Sequence, residues 1–115
     1  MVINPKDMKV EEITNLRGGD GTLVKTTMAP AFPDMHQRLF GRFCLPKGSS
    51  IGMHQHENEV EYYYILSGQG VVTEDDVQTV VNPGDLIITG WGHSHSIRNE
   101  KDKNLEFVAV INTEK

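Results

Sequence analysis

Three histidines and one glutamate, His54, His56, Glu61 and His95, are the side chains of this 115-residue chain best placed to do chemistry. Two imidazoles one residue apart, a carboxylate soon after and a distant third imidazole make a donor set for one divalent metal. The chain has only five histidines, and four of them fall in the pairs His54/His56 and His93/His95. Three neutral imidazoles with a carboxylate and no thiolate suit Mn, Fe, Co, Ni or Zn. Closed structural zinc sites usually recruit cysteines, and Cys44 stands alone. Four protein ligands leave one or two positions open for water or substrate, which metal-assisted chemistry requires.

The elements carrying these residues read as strands. Side chains alternate faces along a strand, so His54 and His56 share one face, about 7 Å apart. Glu61 has the opposite parity, and residues 57–60 must turn or bulge to bring it inward. Beyond that turn Glu61, Tyr63 and Ile65 share the inner face, while Tyr62, Tyr64 and Leu66 point away. His95, Ile97 and Asn99 form a third inward set. Acid–base candidates beyond the four ligands are Tyr63, His93 and Glu59. Tyr63 would either hydrogen-bond a substrate or serve as an aromatic wall; His93 would be a rim residue or a proton shuttle. Arg42 could grip a carboxylate, although an arginine on such a strand is expected to face solvent.

Around these residues, short apolar-alternating runs recur between Gly, Pro, Asn and Asp turns. They cover Leu23 to Met28, Arg38 to Leu45, Gly52 to His56, Glu61 to Leu66, Val71 to Glu74, Val77 to Val81, Leu86 to Thr89, Ser94 to Asn99 and Leu105 to Ile111. No helical period persists, so the expectation is an all-β sandwich or barrel. Glu11-Glu12-Ile13 fits a short strand or a helical turn equally. Residues 29–37, bounded by Pro30 and Pro33, read as an extended crossing segment. The expected organisation is one structural domain, with an amino-terminal segment (1–37) packing on a barrel (38–115) or on a partner.

Composition narrows the function classes. A net charge of −5 without clustered Lys or Arg argues against nucleic acid. No apolar run approaches a membrane-spanning length, and the first residues lack a signal-peptide core. A lone cysteine cannot form an internal disulfide, and a cytoplasmic setting is the expectation. The proline-containing amino-terminal third holds too little apolar material for its own core. With the outward Tyr62, Tyr64 and Leu66 it suggests a homodimer.

The run His54, His56, Glu61, Gly68 resembles the first cupin motif, and Gly84, Gly92, His95 and Asn99 resemble the second. From Phe43 to Ile111 the chain is similar to small single-domain cupins of the oxalate-decarboxylase-like type. The resemblance implies a double-stranded β-helix (jelly-roll) barrel with His54, His56, Glu61 and His95 as ligands in its mouth. Two departures stand out: Gly90 replaces a usual proline, and His93 is additional. Cupins include dioxygenases, decarboxylases, isomerases and plain binders. The presence of Glu61 argues against the thiol-dioxygenase branch. Only Gln69 to Pro83 separates the motifs, too little for the long lid of the larger oxalate decarboxylases. The leading expectation is a metal-dependent enzyme acting on a small oxygen-rich organic acid, dicarbonyl or sugar-derived acid. The alternative is a non-enzymatic module that captures a small molecule through the same metal.

Overall fold

The computed structural model describes residues 1–115, and ten β-strands account for nearly all of its regular structure. They are β1 (Lys9–Thr14), β2 (Thr22–Thr27), β3 (Gln37–Leu45), β4 (Ser50–Gln55), β5 (Glu59–Ser67), β6 (Gly70–Glu74), β7 (Val77–Val81), β8 (Leu86–Gly90), β9 (Ser94–Arg98) and β10 (Leu105–Thr113). A six-stranded sheet runs β1-β2-β3-β10-β5-β8 and a four-stranded sheet runs β4-β9-β6-β7. All strand pairs are antiparallel. No helix is long and apolar enough to cross a membrane.

Alternation creates the interior. Along β10, Leu105, Phe107, Ala109 and Ile111 are buried while the residues between them are half-buried. Along β5, Glu61, Tyr63 and Ile65 point inward, and Tyr64 and Leu66 are exposed. These inward sets meet Ile51, Val72, Val81 and Ile97 of the other sheet in one core. Phe107 lies at its centre, its ring stacked on Phe43 at 5.5 Å and tilted against Tyr63 at 4.5 Å. Offset aromatic pairs of this kind add to the stabilisation from area burial.

Several turns follow local chemistry. Asp75 and Asp76, both at positive φ, link β6 to β7, as the two central residues of a tight hairpin of matching twist require. Asn99 is fully buried, and its side-chain amide donates to the carbonyls of Leu45 and Lys103, tying two loops together. Cys44 is half-buried on β3 as a free thiol.

Glu11-Glu12-Ile13 belongs to β1, a strand paired along its length with β2. β2 in turn pairs with β3, so the amino-terminal segment extends the larger sheet. Residues 29–37 are not extended throughout. A 3-10 turn over Pro33–Met35 is closed by a Phe32–Gln37 bridge, with His36 in the left-handed region and exposed.

Between β1 and β2 the chain crosses onto β4. Gly19 and Gly52 make this possible, because a Cβ at Gly52 would collide with the Arg17 carbonyl and one at Gly19 with that of Ser50. The Asp20 amide donates to Ser50 Oγ at 2.9 Å, and the Ser50 amide to the Asp20 carbonyl, also at 2.9 Å. This seam fixes the 15–19 turn over one end of the barrel.

Candidate metal centre

The four donors come from both sheets. His54 lies on β4 directly opposite His95 on β9. Ile51 pairs with Ile97 on the same two strands, so β4 spends one residue more than β9 between these pairs. That bulge at Gly52-Met53 keeps both Ile51 and His54 facing inward despite their opposite parity. β4 ends at Gln55, one residue before His56. His56 is held instead by its backbone, its amide donating to the His93 carbonyl (3.0 Å) and its carbonyl accepting from the Gly92 amide (2.9 Å). Asn58, in the left-handed conformation (φ 58°), then reverses the chain into β5 and brings Glu61 inward.

The donor atoms converge within 4.8 Å of one another. His95 Nε2 lies 3.0 Å from His56 Nε2, 3.1 Å from His54 Nε2 and 3.0 Å from Glu61 Oε1. Glu61 Oε1 is 2.9 Å from His56 Nε2 and 3.8 Å from His54 Nε2. Glu61, His56 and His95 are buried, and His54 is nearly so.

The outer nitrogens set the tautomers. The Gly52 carbonyl can only accept, so His54 Nδ1 must donate to it across 2.7 Å. His56 Nδ1 likewise donates to the Glu59 carboxylate at 2.5 Å. Both rings therefore aim Nε2 lone pairs at the same point as the Glu61 carboxylate. Electron-rich atoms crowded this way call for a cation between them. With bonds of about 2.1 Å, adjacent donors at right angles sit about 3.0 Å apart and tetrahedral donors about 3.4 Å. Four of the five separations match the right-angle value. The residues fit a divalent metal with coordination positions to spare.

Glu59 is anchored in turn. Arg38 donates from Nε and Nη2 to its two carboxylate oxygens at 2.8 and 2.7 Å, completing a chain from Arg38 through Glu59 to His56. His95 differs. Its Nδ1 is buried without a partner, and the ring is held by stacking on Tyr63 at 5.0 Å and 20°.

The electrostatics follow from this packing. Burial pushes the Glu61 carboxyl up, but the three imidazoles packed against its carboxylate outweigh that and hold the group far below the carboxylate range. Burial depresses His56, yet Glu61 and Glu59 together raise it above the ordinary histidine value. For His95 burial prevails and the value falls. Glu59 is lowered, chiefly by Arg38. Burial, reinforced by the Glu61 charge, drives the Tyr63 phenol well above its usual value, so it remains protonated; the Arg17 guanidinium opposes this.

A cavity of about 110 Å³ opens beside the cluster. His54, His56, Glu61 and Tyr63 line it together with the apolar Ile13, Leu16, Leu39, Phe43, Ile51 and Ile111 and the cationic Arg17, Lys25 and Arg38. A water occupies about 30 Å³ of liquid, so the space suits a ligand of a few heavy atoms. A larger concavity of about 640 Å³, beside Trp91 and Glu114, holds none of the four donors.

Of the acid–base candidates, only Tyr63 lines the cavity. Glu59 is engaged by His56 and Arg38. His93 is half-exposed outside the cluster, its Nδ1 2.7 Å from Asp75 on the β6–β7 hairpin. Arg42 is exposed on β3. Sequence reasoning passed over Arg17, Lys25 and Arg38, since no local pattern connects residues so distant along the chain to one cavity.

The Cupin domain family matches residues 41–111, a span running from β3 to β10 and containing all four donors. The chain belongs to the cupin family. This cupin is 43% identical over 113 residues to an oxalate-binding protein of Thermotoga maritima, covering 96% of this chain and 93% of that one. The crystal structure of a T. maritima protein described as a predicted oxalate decarboxylase superposes with a TM-score of 0.92 at 41% identity, covering 98% of this cupin and 99% of that chain. An uncharacterised protein of Methanocaldococcus jannaschii is 30% identical over 80 residues, covering 70% of this cupin and 64% of its own length.

Proposed function

We propose that this cupin holds one divalent transition metal through His54, His56, Glu61 and His95 and uses it to capture a small carboxylate of the oxalate class. The observation that carries the reading is the convergence of three imidazole Nε2 atoms on a buried carboxylate oxygen beside a small cavity. The metal would supply a Lewis-acidic cation with positions free for ligand oxygens. The cationic and apolar lining suits a compact anion, and the similar T. maritima protein is described as oxalate-binding.

Capture is favoured over turnover by the supply of proton-transfer groups. Tyr63 is the one acid–base candidate lining the cavity, and its burial keeps it a donor rather than a base. The right-angle donor spacing favours Mn, Fe, Co or Ni over tetrahedral Zn. Two copies would pair through the outer face of the larger sheet, where the exposed Tyr64 and Leu86 are cross-strand neighbours flanked by Leu66 and Ile88.

The test is elemental analysis of protein purified without chelators, followed by calorimetric titration with oxalate before and after metal removal. Binding that requires the metal supports the reading. Metal-independent binding, or none, refutes it, and consumption of oxalate by the loaded protein would restore the enzymatic alternative.

A further inference from the structure

The cavity's cations are not equivalent. Arg38 is neutralised by Glu59, whereas Arg17 and Lys25 have no carboxylate within 4.0 Å. Arg17 lines the cavity together with His54, His56, Glu61 and Tyr63. Arg17 also sits in the left-handed backbone region (φ 55°, ψ 31°), where a side chain with a Cβ is disfavoured and glycine is not. The turn that carries it is clamped to β4 by the Gly19–Gly52 seam. A strained, unpaired arginine is thus held rigidly on the lining of the cavity that three of the four donors also line.

We infer that Arg17 is the second anchor of the ligand site, selecting small dicarboxylates by binding one carboxylate while the metal takes the other, with Lys25 adding charge at the entrance. The inference rests on the metal-dependent capture reading and deepens it. A guanidinium presents paired N–H donors that match a carboxylate edge, which a lone ammonium cannot do. Two separate anchors lining one cavity of about 110 Å³ would discriminate a dicarboxylate from a monocarboxylate of similar size.

The experiment compares wild type, Arg17→Gly, Arg17→Lys and, as a control for net charge, Arg42→Ala, all metal-loaded, in titrations with oxalate and with acetate. Metal affinity and melting temperature are measured on the same samples. Wild type should prefer oxalate over acetate. Arg17→Gly should lose at least tenfold in oxalate affinity and most of that preference, with metal affinity unchanged and melting temperature equal or higher, because glycine relieves the strain. Arg17→Lys should recover only part of the oxalate affinity, and Arg42→Ala should match wild type. Oxalate binding that survives Arg17→Gly overturns the role of Arg17 and leaves the capture reading standing. A loaded wild type that binds neither anion overturns both.

Discussion

Replacing Glu59 with Gln tests whether the outer hydrogen bonds govern the donor cluster. In the wild type the Glu59 carboxylate accepts from His56 Nδ1 at 2.5 Å and from Arg38 at 2.8 and 2.7 Å. A glutamine has one acceptor oxygen for these three donors. If that oxygen stays with Arg38, the amide faces His56 Nδ1 and drives the ring proton to Nε2, where it blocks ligation. If it turns to His56, two N–H groups confront each other at Arg38. Either way the ligand is misoriented, and losses of this kind typically cost about 10- to 100-fold in metal affinity, or about 1.4 to 2.7 kcal/mol. The fold should tolerate the change. Arg38 is half-exposed, and losing a partly exposed ion pair costs about 0.2 to 1 kcal/mol. Competition against a chromophoric chelator, repeated over a series of pH values so that imidazole protonation is separated from ligation, measures the effect. A folded Glu59→Gln protein whose metal affinity lies within twofold of wild type would refute the argument.

Metal removal should also be visible in stability. At 100-fold excess over the dissociation constant a bound ion adds about 2.7 kcal/mol, so chelation should lower the melting temperature by about 10 °C in a differential scan. The pH dependence follows from His56. Its folded value is raised, so its protonation stabilises the metal-free fold fully below about pH 6.5 and that contribution fades as pH rises through the raised value. Metal binding at about pH 6.5 must therefore expel a proton from most molecules, detectable by calorimetry in buffers of different ionisation enthalpy; no proton release there would contradict the ligand assignment. Phe107→Ala, at the centre of the core, should cost about 3 to 5 kcal/mol by chemical denaturation. Tyr64→Glu should convert a light-scattering dimer to monomer without altering metal affinity.

Much of the fold is legible in the sequence because strands here obey simple alternation. The inward series Glu61–Tyr63–Ile65 and His95–Ile97–Asn99 lie where the period of two puts them. The need for a turn between His56 and Glu61 is met by Asn58. What escapes is set by long-range packing. Glu11-Glu12-Ile13 has too few apolar residues to declare itself, and β2 alone makes it a strand. The bulge at Gly52-Met53 leaves no mark in composition. Arg38 and Glu59 lie 21 residues apart, and only the β3–β10–β5 order brings them together. Arg42 has the right chemistry on the wrong face, while Arg17 reaches the cavity only because two glycines let one turn lie against β4.

The origin of the donors in both sheets has a mechanical consequence. His54 and His95 hang from one leaf of the barrel and Glu61 from the other, with His56 at the corner between them. A cation there would act as a rivet across that end, while away from it the sheets are held by the apolar core and by the buried Asn99 amide bridging Leu45 and Lys103. Amide hydrogen exchange should therefore become lopsided when the ion is stripped, quickening around residues 54–61 and 89–95 while the strands around Leu45 and Leu105 keep their protection.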